Sequence, residues 1–121
     1  MKTRQELLEG FLEFFASPAD QQVEYLRKKA MLPETFLKEF VAAFQDLAAG
    51  VIDRVADGEL NGRQAWRLKQ LDDWLREMLG DGDPELWTDA ALRSASQWDT
   101  TRGMAQDCLL AFRPSPPPVL P

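Results

Sequence analysis

Residues 33–58 read PETFLKEFVAAFQDLAAGVIDRVADG. Pro33 suits the first turn of a helix, where its missing N–H has no partner to lose. Behind it Phe36, Leu37, Phe40, Val41, Phe44, Leu47, Ala48, Val51, Ile52 and Val55 recur at three- and four-residue steps, the period of an α-helix. On a helical wheel they span about 160° of the cylinder, broad for a surface helix. This segment therefore reads as the central helix of a bundle. Gly50 within it costs about 1 kcal/mol relative to alanine and is read as a bend or a close helix crossing. Asp57 and Gly58 end the helix.

The same pattern extends outward. Upstream, Thr3 with Glu6 reads as a capping box, and Leu7, Leu8, Phe11, Leu12 and Phe15 share one face. Ser17 and Pro18 start a second helix with Ala19, Val23, Leu26 and Ala30 inward. Downstream, Asn61 with Gln64 caps a fourth helix whose buried face is Leu68, Leu71, Trp74, Leu75, Met78 and Leu79. After the loop at 80–83, Pro84 restarts a short helix carrying Leu86, Trp87, Ala91 and Leu92. A last helix begins near Ser96 and turns Trp98, Thr101, Ala105, Cys108, Leu109 and Phe112 inward. Beyond Arg113 the sequence PSPPPVLP cannot continue a helix and is expected to be an extended, polyproline-like tail. No internal repeat or alternating strand pattern interrupts this. The expectation is all-α: a compact bundle of five or six helices in one domain, residues 1–113, followed by a Pro-rich tail, residues 114–121.

Composition narrows the function. The 121 residues are 45% hydrophobic, enough for a core, and carry 14 basic against 20 acidic side chains for a net charge of -6. An acidic surface repels phosphates, so neither nucleic acid nor an anionic membrane is an expected partner. A basic protein is favoured, because opposite potentials speed and orient encounter. The absence of histidine and the single cysteine exclude His-based triads, His–Cys zinc sites and disulfide scaffolds. No cofactor or metal is expected. The apolar residues near the N-terminus are broken by Glu9, Gly10 and Glu13, unlike the core of a signal peptide. With one cysteine, this suggests a reducing, cytoplasmic setting.

Seven acids, Asp72, Asp73, Glu77, Asp81, Asp83, Glu85 and Asp89, face a single base, Arg76, between positions 72 and 89. That local excess equals the net charge of the whole chain, so the remainder balances. One reading is a surface that meets a basic partner. The other is a solvated helix end and loop, with acids favoured near a helix N-terminus. Trp66 bears on the choice. At 100° per residue it lies about 140° from Leu71, in a polar stripe of Trp66, Gln70, Asp73 and Glu77. An aromatic flanked by carboxylates suits an interface anchor. The competing reading packs Trp66 beneath the short helix or the tail. The candidate partner-binding set is Trp66, Gln70, Asp73, Glu77, Asp81 and Asp83.

Other features carry less. Arg27, Lys28 and Lys29 sit at a helix C-terminus, where cations complement the helix dipole. Asp81-Gly82-Asp83 resembles part of a calcium loop, but the closing position twelve from Asp81 is Leu92, not a glutamate. Asp73 and Glu77 have acid–base spacing without an accompanying nucleophile or metal-ligand set. Cys108 lies on the apolar face, where a thiol is packing. Pro114 to Pro117 matches a PxxP pattern.

The run Trp87-Thr88-Asp89, Leu92, Trp98, Arg102, Ala105 and Leu109 places a short Trp-bearing helix before one with Trp, Arg and Ala at i, i+4 and i+7. This resembles the C-terminal part of small acidic bacterial immunity proteins, which neutralise toxins of contact-dependent and related secretion systems. The resemblance implies a cytoplasmic protein that binds one cognate toxin and blocks its active site or activation. Many such toxins are basic nucleases. The first expectation is therefore a non-enzymatic protein-binding module, an immunity protein. The alternative is a structural or adaptor domain that self-associates through the broad third-helix stripe, making a homo-oligomer. A small enzyme using only Asp and Glu ranks last.

Overall fold

The computed structural model describes residues 4–29, 32–52 and 61–112. Six α-helices occupy them: α1 (Arg4–Ala16), α2 (Ala19–Arg27), α3 (Pro33–Ile52), α4 (Gly62–Gly80), α5 (Asp89–Ser94) and α6 (Ser96–Phe112), with a 3-10 turn at Pro84–Trp87 before α5. No strand occurs among the described residues, and the chain is the all-α bundle that its periodicity predicts. The expected roles of Thr3, Ala30, Val55, Asp57, Gly58 and the tail at 114–121 lie outside the described residues.

Local chemistry sets the helix ends. Asn61 Oδ1 accepts from the Gln64 amide at 2.8 Å, and Gln64 Oε1 accepts from the Asn61 amide at 2.9 Å. This is the reciprocal box read from the sequence. Gln64 also donates from Nε2 to the Ala111 carbonyl at 3.2 Å, so one side chain serves the start of α4 and the end of α6. Asn61→Ala should cost about 1 kcal/mol, read as a lower urea midpoint with an unchanged m-value. Asp83 caps the 3-10 turn through the Glu85 amide, and Thr88 caps α5 through the Ala91 amide. Gly82, just before Asp83, has φ +68°, a left-handed conformation that suits glycine.

The core draws on all six helices. α6 lies between α1 and α4, and it runs antiparallel to α4. Trp74 meets Thr101, Arg67 meets Asp107 and Gln64 meets Ala111 in reverse order. α3 packs on α1, α4 and the 3-10 turn. Its broad stripe is thereby used within the chain. Leu37, Val41, Phe44, Ala48 and Val51 are buried, while Phe36, Phe40, Leu47 and Ile52 are half-buried along the flanks. α3 passes through Gly50 as one helix, and a Cβ added there would meet nothing within 4 Å. Gly50 is thus no close crossing point.

Two aromatic groups anchor the packing. Phe11 and Phe15 of α1 meet Phe40 and Phe44 of α3 with ring centroids 4.7–5.9 Å apart. Trp87 and Trp98 meet edge-to-face at 5.5 Å. On α1 the sequence places Leu7 inward and leaves out Phe14. The structure exposes Leu7 and buries Phe14. The α2 and α3 helices rotate the buried sector of α1 toward Phe14, which touches Tyr25 and Phe40.

Candidate functional site

The helical phase that keeps Leu68, Leu71, Leu75 and Met78 inside turns Trp66 out. Trp66 is 54% exposed, and the described residues do not cover it with the short helix. Gln70 is half-buried, and Asp73, Glu77, Asp81 and Asp83 are exposed. The six residues thus share the outer side of α4 and the loop that follows it.

Charges on this face differ along its length. The Arg67 guanidinium lies over the Trp66 ring at 4.8 Å while also approaching Asp107 at 3.8 Å. Asp73 pairs with Lys69 at 3.4 Å and Arg76 at 3.9 Å. The Trp66 end is therefore mixed in charge. The acid excess lies at the other end, where Glu77, Asp81 and Glu85 make no ion pair among the described residues. Asp83 is committed to its capping bond.

Asp72 leaves the surface cluster altogether. It is buried, its Oδ2 pairs with Arg76 at 3.1 Å, and its Oδ1 has no hydrogen-bond partner among the described residues. Burial raises its pKa above the ordinary 3.8, partly offset by Arg76. The native state thus binds this proton more tightly than the unfolded chain does. Asp72 weakens stability as pH rises from near 3.8 through the raised value. Asp72→Asn should be neutral or stabilising by about 1 kcal/mol at pH 7, with the advantage shrinking as pH falls toward 4. Paired urea titrations at the two pH values check this.

Compared with known proteins, the chain matches no family model, no curated protein and no solved structure.

The remaining chemistry is sparse. No three His, Cys, Asp or Glu side chains among the described residues are grouped to hold a metal ion. Cys108 is fully buried and its thiol is pushed up to about 12, chiefly by desolvation, so it stays protonated at neutral pH. Lys29 of the basic run sits over Tyr25 at 4.6 Å and Phe36 at 5.9 Å, which gives it a structural occupation. No helix among the described residues is long and apolar enough to cross a membrane.

Sequence reasoning missed two features. Gln22 is fully buried and bonds Arg102, joining α2 to α6. Its signal was a polar residue amid the apolar face of Ala19, Val23 and Leu26. The other is an open groove of about 440 Å³ between α1, α2 and α3, lined by Leu7, Phe11, Phe14, Tyr25 and Phe40. Period-based reading assigns Leu7, Phe11 and Phe40 to a core, passes over Phe14 and Tyr25, and has no means of seeing that the space between them stays open.

Proposed function

We propose that this chain is a non-enzymatic protein-binding module, a cytoplasmic immunity protein that neutralises a basic toxin through the outer side of α4. The observation that supports this most is the exposed Trp66, held on a rigid helix at one end of a face that becomes acidic toward Glu77 and Asp81. Large aromatics on regular helices lose little conformational entropy on binding and are frequent hot spots. The neighbouring carboxylates steer a cationic partner and set its orientation. On this reading Trp66 enters a pocket on the toxin, and Asp73, Glu77, Asp81 and Asp83 oppose its Lys and Arg side chains. Lys69 and Arg76 exchange their present pairs for solvent as the toxin's bases take their place.

The test is capture of a basic toxin by the purified chain, first from a lysate of the native cell and then with the isolated toxin domain. Asp73→Lys with Glu77→Lys should slow association and flatten its dependence on salt. Trp66→Ala should weaken the complex by about 2 kcal/mol or more while leaving the unfolding midpoint in place, since the ring is half in solvent. Toxin capture that is unchanged in both variants overturns the assignment of this face.

A further inference from the structure

We propose that the aromatic groove between α1, α2 and α3 is the docking site for the chain's own C-terminal segment, residues 114–121. The groove has a volume of about 440 Å³. Its floor is aromatic: Phe14 lies 4.8 Å from Phe40 and 5.2 Å from Tyr25 between ring centroids, and Phe11 lies 4.7 Å from Phe40. Leu7 and Tyr25 remain 43% and 40% exposed at its edges. An open aromatic floor with apolar edges loses free energy to water until something covers it.

The occupant follows from chemistry and reach. Polyproline segments dock in aromatic-lined grooves because their rings stack on flat side chains and little entropy is lost on binding. Tyr25 and Gln21 at the groove supply O–H and N–H donors for the carbonyls of a segment that has few donors of its own. Five of the chain's eight prolines fall in the last eight residues, PSPPPVLP, with Val119 and Leu120 as further apolar contacts. The segment is also near enough. α6 ends at Phe112 and packs along α1. Packed helix axes are roughly 8–10 Å apart, and α1 with its 13 residues is about 20 Å long at 1.5 Å per residue. The nine residues from 113 to 121 reach about 28 Å at 3.1 Å per residue in a polyproline helix. They can therefore pass around α1 to the groove. Docking would make the segment an internal plug, independent of the α4 face.

A nitroxide at position 121 tests this in the 121-residue chain. Pro121→Cys supplies the attachment point, and Cys108 escapes labelling because it is buried with its thiol pushed up to about 12. The amide signals of Leu7, Gly10, Gln21 and Tyr25 should lose intensity. That loss should vanish in Leu7→Asp, and equally in a variant with Pro116, Pro117 and Pro118 changed to serine, which leaves the bundle untouched. Groove amides at full intensity overturn the proposal, as does a loss that survives both variants. A loss seen only when labelled chains are mixed with separate isotope-enriched chains also overturns it, since docking then occurs between copies.

Discussion

Trp98→Ala should lower the stability of this protein by about 3–5 kcal/mol, a large share of the roughly 5–15 kcal/mol that holds a domain together. Trp98 is fully buried at the start of α6. Its ring meets Trp87 edge-to-face at 5.5 Å, and its Nε1–H donates to the Leu86 carbonyl at 2.7 Å. Truncation opens a cavity, removes the aromatic contact and leaves a carbonyl of the 3-10 turn without its donor. The three losses fall on one joint, where α5 packs against α6 and Trp98 ties the turn to α6. Urea unfolding should show a large fall in midpoint. Trp98→Phe should recover much of the packing but not the bond, so its loss should be near 1–2 kcal/mol larger than ring volume alone predicts. A midpoint within experimental scatter of wild type in Trp98→Ala would contradict this account of the core.

Arg102→Met should cost about 2–4 kcal/mol. The Arg102 side chain is only 11% exposed. Nη1 donates to Gln22 Oε1 at 2.8 Å and to the Leu92 carbonyl at 3.0 Å, while Nη2 serves Asp99. Gln22 in turn donates from Nε2 to the carbonyls of Phe14 and Phe15 at 2.9 and 3.2 Å. These are acceptors at the end of α1, where a helix runs out of its own donors. The pair thus closes the end of α1 from Gln22 on α2 and the end of α5 from Arg102 on α6. Methionine keeps the apolar stem but strands the Gln22 oxygen and the Leu92 carbonyl. Lysine should fall between, because a point charge replaces a planar fork. Gln22→Leu combined with Arg102→Met should cost less than the two single losses together, since the stranded oxygen is removed with its partner. Full additivity in that cycle would separate the two residues energetically.

Much of this architecture was legible beforehand because it depends on short-range periodicity. The inward faces of α4 and α6, the Asn61 and Gln64 box, the outward phase of Trp66 and the buried thiol of Cys108 all follow from 100° steps along one helix. The errors share a physical origin. Leu7 and Phe14 exchange roles because α1 has neighbours on more than one side. Asp72 sits among surface acids in sequence, yet one step of helical phase puts it beside Leu71 on the inner side. Gly50 looks like a packing device until the space around it proves open.

The candidate site divides in the same way. Its membership, Trp66, Gln70, Asp73, Glu77, Asp81 and Asp83, could be read from phase and charge. Its field could not. Pairing of Asp73 with Lys69 and Arg76, and the Arg67 cation over Trp66, moves the acidic excess toward the 77–85 end. Those partners lie three or four residues apart or one residue away, but rotamers and neighbouring helices decide whether they meet.

By itself the sequence determined that this protein is helical, where most helices begin and end, and, α1 apart, which side of the helices faces inward. It also concentrated the acidic charge into one stretch. Periodicity and caps are properties of one segment, so no fold is needed to read them. Tertiary structure alone decided that Gln22 and Arg102 close two helix ends, that Asp72 is buried with one oxygen unpartnered among the described residues, and that the α1–α3 aromatics leave a groove. Each depends on groups distant in the chain arriving within a few ångströms, and that proximity exists only once the helices are packed.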